Sequence, residues 1–155
     1  MTHDQAMAVL ATVSDPEIPV LSIVDLGIVE RLACAPDLIE VWLVPTFAGC
    51  PALELIRRSV SAALQEAGAP QVQVTFLTAP VWTTDRITPR GLAALASFGI
   101  AAPGEQVAAC PYCQSTQTRR ESAFGPTLCR QVFYCDGCQQ PFERMKLMTL
   151  APRPR

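Results

Sequence analysis

Two Cys-x-x-Cys pairs, CPYC at Cys110 and Cys113 and CDGC at Cys135 and Cys138, stand twenty-one residues apart. A pair at this spacing can grip one ion from a tight turn, and two such turns complete a tetrahedral four-sulfur site. A segment of about 40 residues cannot bury enough apolar surface to fold unaided, so a structural metal is expected to supply the missing free energy. Zinc is the expected ion, although a rubredoxin-type iron would use the same ligands. Gln114 and Gln139 follow the second cysteine of each pair, where a left-handed backbone often calls for glycine.

The chain has seven cysteines in all. Its N-terminus, MTHDQAMAVL, lacks the basic and apolar regions of a secretory leader, and no run reaches the ~18 apolar residues of a membrane span. A cytosolic location is expected, where cysteines serve metal, catalysis or packing rather than a disulfide framework. Half the residues are hydrophobic and 17% are charged, a globular balance. The net charge of −2 gives no general attraction to nucleic acid or acidic membranes. It is uneven, however: residues 1–107 carry five Arg against eleven acids, and residues 108–155 seven basic residues against three acids.

The stretch upstream of the cysteine pairs reads as mixed α and β. Thr2 and Gln5 have capping-box spacing, with Met7, Leu10 and Val13 on one helical face. SDPEIPV breaks that helix. GIVERLA and LIEVWLV, separated by CAPD, read as an antiparallel hairpin. PALELIRRSVSAALQEAG places Leu53, Ile56, Val60, Leu64 and Ala67 on one stripe and stops at Gly68. QVQVTFL alternates as a strand, and strand, helix, strand implies a right-handed crossover with parallel strands. Thr88 and Pro89 open a last helix that Gly99 ends. IAAPGEQVAA reads as a linker, and APRPR as a frayed tail.

Cys50 precedes Pro51, a residue suited to the first helical position, so the pattern predicts Cys50 as a helix N-cap. There the helix dipole and open N–H groups would favour its thiolate, making it a candidate nucleophile or metal ligand. It also follows the carboxyl end of a strand, a common place for binding sites. The competing reading is a small buried hydrophobe. Cys34 reads as packing, and Cys129 as core filler first and auxiliary ligand second. His3 is the sole histidine and gives a Cys/His dyad little support. Asp15, Glu17 and Asp25 could assist metal or proton handling, but Asp15 and Asp25 read first as turn-forming residues. Arg119, Arg120 and Arg130 could touch phosphates, yet four thiolates and one zinc add −2, which favours a protein partner.

DPEIPVLSIVDLGIV from Asp15, PTFAGCPA from Pro45 and VWTTDRIT from Val81 together resemble the family of small iron–sulfur assembly proteins that includes SufT. The CPYC and CDGC pairs, with FGPT and Cys129 between them, narrow the resemblance to the PaaD branch, which accompanies phenylacetate degradation. The resemblance implies an α+β fold: a small mixed sheet packed with helices, of the iron–sulfur cluster assembly type, over residues 1–102, a linker at 103–107, a β zinc ribbon over 108–150 and a tail at 151–155. It carries the reactive cysteine onto Cys50 and the acidic motif onto Asp15, Glu17 and Asp25, with Thr46 and Gly49 shaping the loop around the thiol. It matches Phe124, Gly125 and Cys129 to the ribbon's own motif, which weakens the filler reading of Cys129. Arg86 stands where the family often has an aromatic.

The implied role is accessory: assembly or insertion of iron–sulfur centres for a multicomponent phenylacetyl-CoA ring epoxidase. Structural zinc would sit in the ribbon, with Cys50 as the place for a transient iron or iron–sulfur cluster. The implied partners are the epoxidase components, the iron–sulfur reductase foremost, with no membrane and with nucleic acid disfavoured; a homodimer is left open. No catalytic activity of its own is expected, since the chain lacks a dinucleotide loop, paired Glu-x-x-His motifs and a ferredoxin pattern. The alternatives are a structural subunit of the oxygenase assembly and a nucleic-acid-binding ribbon.

Overall fold

The computed structural model describes residues 1–104 and 107–150; two of the five linker residues, 105 and 106, and the whole expected tail lie outside the described residues. The chain forms two compact units, residues 1–82 with 86–91, and residues 83–85 with the chain from 92 onward. Among the described residues no helix is long and apolar enough to cross a membrane.

In the first unit, helix α1 (His3–Leu10) starts on the expected capping box. The Thr2 side chain accepts from the Gln5 N–H while the Gln5 side chain accepts from the Thr2 N–H. Strands β1 (Val29–Cys34) and β2 (Ile39–Leu43) form the hairpin, with a bulge between Val29 and Arg31. Helix α2 (Leu53–Glu66) then returns the chain to β3 (Val72–Phe76), which pairs with β2 in parallel, Val41 opposite Val74. The sheet order is β1-β2-β3. Of the apolar stripe on α2, Ile56, Val60 and Leu64 are buried; Leu53 is half-buried and Ala67 is exposed at the end. At the open edge, the Arg57 guanidinium donates to the Val74 carbonyl and lies over the Phe76 ring. This blunts a row of backbone groups that could otherwise recruit another strand.

A large part of this core comes from a segment with almost no regular structure. Between α1 and β1, Ile18, Leu21, Ile23, Leu26 and Ile28 are each at most 2% exposed. Such a loop can be buried only if its backbone groups find partners. Hydrogen bonds from Asp15 N to Leu21 O, Ile23 N to Val13 O, Leu26 N to Ser22 O and Ile28 N to Ile23 O supply them. Trp82, 1% exposed, packs into this core and donates its indole N–H to the Leu26 carbonyl at 2.9 Å.

After a single 3₁₀ turn at Thr84–Arg86, helix α3 (Pro89–Ser97) runs from the first unit into the second. The Thr88 hydroxyl accepts from the Gly91 N–H, and Gly99 leaves the helix with φ of 81°. The next two residues, read from sequence as the start of a linker, form β4 (Ile100–Ala101). They pair in parallel with β7 (Gln140–Met145), which is joined antiparallel to β6 (Arg130–Cys135) and through it to β5 (Thr118–Ser122), giving the order β4-β7-β6-β5. A two-residue strand has no periodicity to betray it; its pairing is set by β7, about 40 residues further along the chain.

Replacing Trp82 with alanine removes a large side chain and leaves the Leu26 carbonyl without its donor. The Trp82→Ala protein is expected to lose about 3–5 kcal/mol of stability, read as a lower urea midpoint for the first unit; an unchanged midpoint would contradict the packing described.

Candidate metal centre and thiol loop

Cys110 and Cys113 lie on the turn before β5, Cys135 ends β6, and Cys138 lies on the turn into β7. Their four sulfur atoms all lie within 4.8 Å of one another, with Cys110 to Cys138 at 3.7 Å and Cys113 to Cys135 at 3.6 Å. Four sulfurs at about 2.3 Å from a central zinc would be separated by about 3.8 Å. The donor set, its separations and its closed form therefore fit a tetrahedral zinc ion.

The turns are built for it. Gln114 and Gln139 have φ of 64° and 59°, so the left-handed positions expected after each pair exist and glutamine occupies them. That backbone turn aims N–H groups at the thiols, from Ser115 to Cys113, from Cys138 to Cys135 and from Gln140 to Cys138. Gly137 is needed for space: a Cβ there would stand 2.7 Å from the Ser115 hydroxyl and 3.5 Å from the Cys135 sulfur. The Cys138 N–H, helped by neighbouring sulfurs, draws the Cys135 thiol down to about 7. Burial and the other sulfurs push Cys138 up to about 12. At Cys113 the Ser115 N–H lowers the pKa, but burial and the sulfur of Cys135 leave it raised overall. Four thiols this close cannot all ionise without a cation, and a zinc ion removes that conflict.

Cys129 is buried, with its sulfur 3.1 Å from the Thr127 hydroxyl, and it does not belong to the four-sulfur group. Two of the three arginines singled out from sequence are engaged within the ribbon. Arg119 pairs with Glu121 and Asp136 and lies over Tyr134, and Arg130 pairs with Glu143 at 2.5 Å.

Cys50 departs from its expected position. Helix α2 begins at Leu53 with Ala52 as N-cap, and Ala52 has helical backbone angles and no capping side chain. Cys50 stands two residues earlier, where its N–H closes a turn to the Phe47 carbonyl at 3.2 Å. That extra turn separates the thiol from the first helical bond, Ile56 N–H to Ala52 O, and the dipole's influence is concentrated at the terminal turn itself. Cys50 is half-buried, in the loop after β2 that also holds Thr46 and Gly49. Gly49 has no positive φ, and nothing lies within 4 Å of where its Cβ would be. Cys34, at the end of β1, is half-buried.

Two of the acidic residues hold the buried loop in shape. Asp15 Oδ1 accepts from the Glu17 and Ile18 N–H groups at 2.8 and 2.9 Å. Asp25 accepts from the Ser22 hydroxyl, the Thr88 hydroxyl and both Nε and Nη2 of Arg90, at distances of 2.7 to 3.1 Å. Sequence reasoning missed the last two partners, because Thr88 and Arg90 lie more than 60 residues along the chain and no spacing rule joins them. Arg86, the family departure, donates to the Gly27 carbonyl and pairs with Glu30. Among the described residues the only group of three or more potential ligands is the four-cysteine set.

Residues 3–76 match the family described as "Iron-sulfur cluster assembly protein", and residues 99–146 match the "PaaD zinc beta ribbon domain". The chain is 37% identical over 147 residues to a protein of Escherichia coli strain K12 named as one subunit of a "Putative 1,2-phenylacetyl-CoA epoxidase", covering 90% of this chain and 89% of that one. Among solved structures, a DUF59 domain from Bacillus anthracis is 25% identical with a TM-score of 0.56, over 59% of this chain and 89% of its own. A conserved hypothetical protein of Thermotoga maritima is 26% identical with a TM-score of 0.53, over 64% and 95%.

Two measurements check this geometry. Cys135→Ser should reduce zinc from about one ion per chain to a small fraction and abolish amide protection in β5 to β7, as elemental analysis and hydrogen exchange would report; full zinc content in this variant would exclude the four-sulfur site. At Asp25, the Arg90 hydrogen bond, followed by those of Thr88 and Ser22, holds the carboxyl below its usual range despite burial. Its contribution is complete above the ordinary carboxyl pKa and disappears as pH falls through the lowered one. Asp25→Asn should therefore cost about 1–3 kcal/mol at pH 7, and the gap to wild type should close below about pH 4. A gap independent of pH would assign the effect to packing instead.

Proposed function

The chain belongs to the PaaD family, and from that premise we propose that it is an accessory protein for assembly or insertion of iron–sulfur centres in a phenylacetyl-CoA epoxidase system. The observation that carries this reading is the union, in one chain, of an iron–sulfur assembly match over residues 3–76 and a PaaD zinc ribbon over residues 99–146. Cys110, Cys113, Cys135 and Cys138 hold a resident structural zinc. The iron–sulfur reductase is the foremost client, and residues 1–102 and 108–150 act as an assembly domain and a docking ribbon.

Cys50 is the transfer thiol in this reading. Its support is positional: it follows β2 within the parallel β2-α2-β3 unit, outside the carboxyl end of a strand. Gly49 beside it leaves open space on the loop surface, where a client or an iron centre could approach the backbone. Thr46 and Gly49 shape that loop. Asp15 and Asp25 hold the buried loop segment in shape, and Glu17 completes the motif. Iron or a small cluster is cargo here; Cys50 offers one bond to it, and the remaining ligands come from the client or a second chain in a homodimer.

The relative's name, as one subunit of an epoxidase, favours a second reading, a structural component of the oxygenase assembly that transfers no metal. Cys50→Ser separates the two. In an anaerobic reconstitution with epoxidase components, the accessory reading expects a loss of at least about tenfold in the rate of cluster acquisition, with zinc content unchanged. Full activity of Cys50→Ser would leave only the structural role.

A further inference from the structure

The loop between β5 and β6 holds its shape by many internal bonds while leaving two large apolar side chains in solvent. Phe124 is 77% exposed and Leu128 52%. The Phe124 N–H donates to the Ser122 hydroxyl at 3.0 Å, and the Gly125 N–H donates to the Arg130 carbonyl at 2.9 Å. Arg130 Nε donates to the Thr127 hydroxyl at 3.0 Å, and the Arg130 N–H donates to the Thr127 carbonyl at 3.2 Å. The Lys146 N–H ties the loop's end to β7 through the Cys129 carbonyl at 2.8 Å. A Cβ on Gly125 would stand 2.9 Å from the Arg130 carbonyl, so the turn closes this tightly only with glycine.

Exposed apolar side chains on a preformed loop lose little conformational entropy on being covered, and aromatic anchors of this kind dominate protein interfaces. The local charge narrows the occupant. Residues 122–130 contain no carboxylate, and the Glu143 carboxylate beside them is committed to Arg130. The Lys146 ammonium lies 5.4 Å from the Phe124 ring centre, giving the apolar tip a cationic flank. A nucleic acid would need several uncommitted cations and flat surfaces for stacking. Here Arg119 and Arg130 are held in ion pairs, and the second exposed group is an aliphatic leucine.

We propose that Phe124 and Leu128, flanked by Lys146, are the docking tip of the ribbon, and that they insert into an apolar cleft rimmed by carboxylates on a protein component of the epoxidase system. The proposal rests on the accessory reading above and adds to it the residues and the chemistry of the contact.

The test uses the full zinc-loaded chain against each purified epoxidase component by biolayer interferometry. Wild type should bind one component. Phe124→Ser and Leu128→Ser should each weaken that binding at least about tenfold, while Phe124→Leu stays within about threefold of wild type. Lys146→Glu should weaken it most at low salt, the difference shrinking as salt is added. Zinc content and thermal transition equal to wild type show that each variant is folded. Phe124→Ser and Leu128→Ser binding like wild type would overturn the docking tip while leaving the accessory reading intact; wild type binding no component would remove both. Self-association lost in Phe124→Ser, or salt-sensitive retention of single-stranded RNA lost in it, would also overturn the proposal by assigning the tip another occupant.

Discussion

Four sulfur atoms within 4.8 Å of one another are the constraint on which the second unit depends. The hydrophobic cluster around them is small: Ala101, Ala108, Cys110, Phe133, Cys135 and Phe142, with Cys138 packed beside it. Two of those six residues belong to the sulfur set, so the cluster and the metal centre overlap. The Phe133 and Phe142 rings, opposite each other on β6 and β7, stack at 5.6 Å and close one side. A cluster this size offsets little of the entropy of ordering the strands around it. An ion that turns four mutually repelling thiolates into a bonded centre supplies what packing lacks.

The first unit solves a different problem. Its sheet has three strands, and much of the apolar mass that covers it comes from an irregular segment, so carboxylates take over the work that secondary structure does elsewhere. Asp15 satisfies two successive N–H groups in a turn, and Asp25 gathers a serine, a threonine and an arginine from the start of α3. At Asp25, the Arg90 hydrogen bond and those of Thr88 and Ser22 hold the carboxyl below its ordinary range despite burial. Asp25 thus serves to place the backbone, tying the buried loop to the start of α3.

How much can be read in advance follows from the range of the forces involved. The capping box, the hairpin and the two metal turns are local patterns, each standing where spacing puts it; the α2 stripe holds at Ile56, Val60 and Leu64 but not at its ends, where Leu53 is half-buried and Ala67 exposed. The left-handed backbone at Gln114 and Gln139 is legible too, because the ligand turn demands it whatever residue is present. Sequence position misleads where a choice is nearly degenerate. A proline after a cysteine marks a helix start, but chain closure by Phe47 and Cys50 displaces the cap to Ala52. The bonds of Asp25 to Thr88 and Arg90 and the pairing of Ile100 with Glu143 are invisible for a separate reason: both are made by tertiary placement alone.

The two cysteine environments also differ in what they can do with an ion. At the ribbon, Cys110 and Cys135 have no exposed surface, the N–H groups of Ser115, Cys138 and Gln140 point at sulfur, and all four positions of a tetrahedron are filled by the chain. A closed four-sulfur set has no open position for exchange, which marks a resident ion rather than a travelling one. The Cys50 loop is its opposite: one half-buried sulfur, a neighbouring glycine with empty space beyond it, and membership of no ligand cluster among the described residues. One thiolate completes no ligand shell by itself, so the transfer proposed for Cys50 requires ligands from a second molecule.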